Sequence, residues 1–402
     1  MKYLIPVPVV VALVIALALV GCRKKLPAPA VLWTNDEVDI TTSPALGLAG
    51  GKSVVCVVSE PGVWAINADG TTRWKWESEP MSAHNGPSTS ADGSRLYVAD
   101  DNKGVMCFDV ATGAMLWQLA EQYGDCTPVV GPGGAIYVTS LDSVTRIRDL
   151  GDTAAVEWTA ACRYQRTNVV LGANGVVYGI SYGNWEPGAA QVFALDSLGR
   201  VLWQDTTHVY DDYGCMMNCP ALDSRGRLLV ASGYDSLVCF LPDGSVAWGA
   251  EVSALSGGGI TVGYGDCIYL QSFDEGTAYC LDSTGRMKWM RSLELPAPNN
   301  VCALADSSIL MWDCVECVDC RDRNGILRWG FSIPDSLDLA ESPRRTTLEG
   351  DDFPTPLVGP DGRIYVSYDG LCCLTVGGVP LAKSAWPTYN HDNAHSGWAG
   401  RR

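Results

Sequence analysis

The chain is short of several things at once, and each shortage closes a class of function. Of 402 residues only 18% are charged and only four are histidine, so a histidine-built metal or acid–base centre has few places to form. Basic residues are outnumbered, 28 Lys and Arg against 45 Asp and Glu, giving a net charge of −17. Such a surface repels phosphate backbones and excludes nucleic acid as a partner; a basic partner or a neutral ligand suits it better. Amphipathic helical periodicity is essentially missing, which excludes bundles and coiled coils. There is no His-Glu-x-x-His and no Gly-x-Ser-x-Gly, so those hydrolase signatures are absent. Gly50-Gly51-Lys52-Ser53 imitates a phosphate loop, but Leu46 stands where its first glycine belongs and a strand pattern follows instead of a helix.

What is present supports a large, turn-rich core: 47% hydrophobic residues with 43 Gly and 22 Pro. Residues 1–21 read as a lipoprotein signal peptide, with Met1-Lys2 leading an apolar run from Tyr3 to Val20. Leu19-Val20-Gly21-Cys22 resembles a bacterial lipobox, which makes Cys22 the lipidated first residue of the mature chain and the membrane contact a lipid anchor. An uncleaved anchor helix is the alternative, but the run is short for a bilayer and carries Pro6 and Pro8. Arg23, where inner-membrane lipoproteins commonly carry Asp, points to the outer membrane. Residues 22–30, with Pro27 and Pro29, form an extended tether whose stretch after the cysteine spans about 25 Å.

From residue 31 to 385 the sequence is periodic. Trp74, Trp117, Trp158, Trp203, Trp248, Trp289 and Trp329 are separated by 43, 41, 45, 45, 41 and 40 residues. A turn rich in Asp, Asn and Gly precedes each, and a second turn followed by a β-branched, aromatic strand precedes that. Each unit therefore reads as four short antiparallel strands. Eight such units predict an all-β, eight-bladed β-propeller. The eighth has Gly377-Gly378 in its turn slot but no Trp after it, so Val31-Leu32-Trp33 is expected to close the ring as an N-terminal strand.

Cys107-Phe-Asp109-Val-Ala-Thr112-Gly113-Ala-Met-Leu-Trp117 resembles the tryptophan-docking motif Ala-x-Asp-x-x-Thr-Gly-x-x-x-Trp of pyrroloquinoline-quinone (PQQ)-like propellers, with Cys for the leading Ala. Looser copies cover roughly Thr41 to Ala382. The resemblance implies that the seven tryptophans stack on the neighbouring blade's glycine turn. The family includes quinoprotein dehydrogenases as well as BamB-like lipoprotein propellers of outer-membrane assembly, so the resemblance implies fold more firmly than function.

The sixteen cysteines sort by the repeat. Aligned nine residues before the tryptophan, or five before the turn glycine, with allowance for insertions in the second and third units, one slot reads Ala65, Cys107, Arg146, Ala194, Cys239, Cys280, Cys320 and Cys373. Alanine and cysteine at one strand position mean a small buried side chain. Cys314-x-x-Cys317-x-x-Cys320 has metal-like spacing, but Cys317 and Cys320 on one strand face opposite sides; a Cys314–Cys317 cross-turn disulfide is the competing reading. The neighbours Cys372 and Cys373 likewise point apart.

Loops joining one blade's outer strand to the next blade's inner strand gather on one face, where binding residues concentrate. Here they carry His84, Cys126, Arg163, Arg166, His208, Asp211, Asp212, Tyr213, Arg344 and Arg345, the candidate ligand or partner face. His208 with Cys215 and Cys219 is the best metal trio, against a Cys215–Cys219 disulfide. The tail, residues 386–402, contains Trp386-Pro387-x-x-x-x-Asp392-x-x-x-x-Gly397, similar to a closing segment of bacterial propellers of this type, and is expected to cap the ring. The expected function is a monomeric, non-catalytic, lipid-anchored scaffold of the cell envelope that binds an envelope protein. A PQQ-dependent alcohol or sugar dehydrogenase is the alternative, although no residue matches the cofactor, calcium or base roles. Glycan binding by Tyr210 and Tyr213 is a third.

Overall fold

A computed structural model describes residues 29–38, 42–59, 62–78, 81, 86–120, 126–162, 168–181, 190–209, 219–232, 236–252, 259–272, 276–293, 301–314, 317–332, 355–367, 370–375, 378–388 and 390–399. These residues form eight four-stranded antiparallel sheets. The first blade runs Ala45–Ala49, Lys52–Ser59, Gly62–Asn67 and Thr72–Glu77, from the axis outward. Blades two to seven repeat that order, starting from inner strands Ser88–Thr89, Val129–Val130, Val170–Leu171, Ala221–Leu222, Thr261–Val262 and Cys302–Ala303. Blade eight is composite: Leu357–Val358, Arg363–Ser367 and Leu371–Thr375 are completed by Ala30–Asn35 from the start of the chain. The protein is thus an all-β, eight-bladed propeller closed by its N-terminal strand. Cys22 and the expected signal segment lie outside the described residues.

Burial explains the strand sequences. The middle strands of each blade are covered on both faces by neighbouring blades, so Val54–Val58 and Leu228–Ser232 are buried without a break. Outer strands have one covered face and alternate, as in Thr72–Glu77. Apolar clusters span every blade junction, including Val55, Trp64 and Ile66 of blade one against Leu357, Tyr365 and Cys373 of blade eight. That last cluster is what makes the ring continuous.

Each outer strand sets one tryptophan opposite the small-residue slot: Trp74 on Ala65, Trp117 on Cys107, Trp203 on Ala194, Trp248 on Cys239, Trp289 on Cys280, Trp329 on Cys320 and Trp33 on Cys373. Trp158 lies on Arg146, the one large residue in the slot, which pairs with Glu157 at 3.0 Å and lies over Tyr137. A bulge interrupts the pairing beside the slot in all eight blades and re-aims the indole toward the next blade. There the indole N–H of Trp33, Trp74, Trp158, Trp203, Trp248 and Trp289 donates to the backbone carbonyl of Ala68, Val110, Ser197, Pro242, Ser283 and Arg323 at 2.8–3.2 Å. Trp117, facing a shorter turn, donates to the Asp149 carboxylate at 3.1 Å. Under Trp74 lies Gly113, with φ +77°; a Cβ there would stand 2.6 Å from the ring, so both conformation and space require glycine.

Candidate functional site

Two regions can carry function: the loop face and the central channel. On the loop face, His84, Arg163, Arg166, Asp211, Asp212, Tyr213, Cys215, Arg344 and Arg345 lie outside the described residues. Cys126 is buried and its sulfur accepts the Thr139 N–H at 3.3 Å, which places it under the face instead of on it. His208 is exposed, with Nδ1 2.9 Å from both Asp205 Oδ2 and Thr207 Oγ1. Burial opposes ionisation of Asp205, but hydrogen bonds from His208 and Thr207 outweigh it and hold the carboxyl below its usual range. Cys219 is half-buried, its sulfur 3.7 Å from Asn168 Nδ2. Among the described residues no group of three or more His, Cys, Asp or Glu could hold a metal ion. Cys314 and Cys317 are paired across their turn, but their side chains lie outside the described residues; Cys372 and Cys373 are buried free thiols.

The channel is occupied by the chain itself. The inner strand of each blade has one edge paired within its sheet and the other turned to the axis, where residues 380–388 and 390–399 meet it. Backbone N–H groups of Leu46, Thr89, Val130 and Leu171, in blades one to four, donate to Asn393, Ala394, Ser396 and Gly397 at 2.6–2.9 Å. Val262 and Ala303, in blades six and seven, donate to Trp386 and Pro387 at 2.7 and 2.8 Å. The Asn393 side-chain amide reaches Val358 O in blade eight, and Trp386 and Ala399 pack in the cluster that holds Ala221 and Leu222 of blade five. The tail motif explains itself in these terms. Trp386 is fully buried, Asp392 accepts from the backbone of Ala394 and Ser396 at 2.9 and 3.0 Å, and a Cβ on Gly397 would strike Val129 at 2.7 Å. His395 is buried with Nδ1 donating to Pro87 O at 3.0 Å, and burial lowers its pKa to about 4. His391 is buried edge-on against Trp386. Sequence reasoning saw the motif but not its path, because each tail residue meets a different blade and no periodicity marks that.

Among the described residues, the axial edges of the inner strands are taken by the tail, and no group of three or more His, Cys, Asp or Glu stands beside them.

The family pattern described as "Outer membrane protein assembly factor BamB" matches residues 31–119 and 188–367, well over half of the chain. Among solved structures, BamB from Moraxella catarrhalis is similar at 16% identity, with 87% of this chain and 98% of that chain covered and a TM-score of 0.58. A europium-containing methanol dehydrogenase aligns at 10% identity over 84% of each chain, with a TM-score of 0.61. Sqt1 from Saccharomyces cerevisiae aligns at 11% identity over 88% of this chain and 98% of that one, with a TM-score of 0.59. At these identities the likeness is one of fold. No curated protein matches the sequence.

Proposed function

Since the chain belongs to the PQQ-type propeller family described as outer membrane protein assembly factor BamB, we propose that it is a non-catalytic scaffold, lipid-anchored through Cys22, that binds a protein partner in outer-membrane protein assembly. One observation carries the non-catalytic part: the channel, the concave space a propeller offers a small molecule, is filled by the protein's own tail. Binding must then use the outside of the ring. The loop face is one surface for it. The rim of blades three and four is another, where Leu150, Val156, Leu198, Val201 and Leu202 are exposed on neighbouring turns and outer strands. On a surface of net charge −17, an apolar strip suits a protein partner with basic flanks.

Mild crosslinking in the native envelope followed by mass spectrometry tests this reading. The expected result is reproducible capture of an envelope protein, with crosslinks confined to the loop face or to this rim. Recovery of no envelope protein would count against it. Incubation with PQQ and calcium, reading dye reduction with alcohols or aldoses, should give no turnover; sustained turnover would establish the dehydrogenase alternative.

A further inference from the structure

One thiol stands apart from the rest. Cys267 follows the tight turn Tyr264–Asp266 and enters the second strand of blade six, where it is half-buried. Lys288, exposed on the outer strand of the same blade, brings Nζ to 3.0 Å from its sulfur. Tyr269, two residues on, pairs directly with Cys280 on the adjacent strand, so Cys267 and Cys280 share a sheet face as diagonal neighbours. The Cys280 thiol is fully buried, and its own hydrogen bond goes to Leu281 O at 3.9 Å.

We propose that Cys267 is a nucleophilic thiolate site that undergoes disulfide exchange with small disulfides, with Lys288 as the cation that stabilises the thiolate. In the reaction Cys267 Sγ attacks one sulfur of the disulfide, that S–S bond breaks, and the released thiolate takes a proton from solvent. The cysteine ends as a mixed disulfide, oxidised by as much as the released thiol is reduced.

The groups facing Cys267 all favour this state. The neighbouring Cys280 thiol, together with Lys288 and Tyr269, holds the Cys267 thiol below its usual range, while burial opposes that. Cys280 and Tyr269 are pushed up and remain protonated. Asp282 interacts with Lys288, and the Asp266 carboxylate is turned away to Ser224, which donates to it at 2.6 Å. By contrast, burial pushes Cys56, Cys107, Cys239 and Cys302 up to about 12. The inference stands independently of the scaffold reading.

The test is the full chain treated with 5,5′-dithiobis(2-nitrobenzoic acid) at pH 6, with peptides mapped by mass spectrometry. Cys267 should label several-fold faster than a thiol of ordinary pKa near 8.5, and Cys267→Ser should remove that fast phase. Lys288→Met should slow labelling of Cys267 several-fold at pH 6 but not at pH 10, while Lys288→Arg retains it; circular dichroism of each variant checks folding. Slow labelling of Cys267 at pH 6 in the wild-type protein, or a rate indifferent to Lys288→Met, overturns the proposal.

Discussion

At the scale of single residues, the repeat is written by what fits beneath an indole. The slot opposite each tryptophan lies against the core, and seven of its eight occupants, Ala65, Cys107, Ala194, Cys239, Cys280, Cys320 and Cys373, are small and buried. That alternation of alanine with cysteine is why most of those thiols were legible as packing. The partner of Lys288 was not legible, because Cys267 lies outside the slot and nothing in the spacing links residues 21 apart. His395 makes a residue-scale prediction. Its folded pKa is near 4, while an unfolded imidazole takes its proton near 6.5. As pH falls through that window the unfolded chain gains a proton that the native protein does not accept, so stability present above 6.5 is lost toward pH 4. The loss attributable to this one group is about 3 kcal/mol. Urea unfolding at pH 7 and pH 4.5 should show that drop in part, and His395→Gln should flatten it; equal pH dependence in the two proteins would assign the loss elsewhere.

At the scale of elements, the tryptophan spacing announced the strands, but two-residue inner strands such as Val129–Val130 are too short for any pattern to mark. The closing strand was legible because the last unit lacked its tryptophan and the chain start supplied one. Trp33 completes the pattern: it pairs with Cys373, donates to Ala68 O at 3.0 Å and covers Gly70, while Asn35 Nδ2 reaches Gly70 O at 2.9 Å. Ala30–Asn35 is therefore both the edge strand of blade eight and the lock onto blade one. Deleting residues 29–35 should lower the thermal midpoint by about 10 °C or more, since an edge and a blade junction are lost together. Calorimetry decides it, and an unchanged midpoint would mean that the ring does not depend on this strand.

At the scale of the whole molecule, a ring of blades that touch only their neighbours behaves like a short repeat array, whose unfolding need not be all-or-none. The tail changes that topology. Residues 380–387 bond to blades six and seven, and residues 393–399 bond to blades one to four and to eight, so one segment ties opposite sides of the ring through its axis. Those bonds also satisfy inner-strand N–H groups that would otherwise face an open channel. Truncation after Val379 should consequently do two things: lower the urea midpoint, and split or broaden the transition as blades lose their common partner. It should also promote association, because freed inner edges can pair with other chains. Urea unfolding followed by tryptophan fluorescence and by far-ultraviolet circular dichroism, with light scattering for mass, reads all three. A truncated protein that stays monomeric and unfolds in a single transition at the original midpoint would show that the junction clusters alone hold the ring together, and the tail's hold on the axis would then carry no weight in the argument against a small-molecule site.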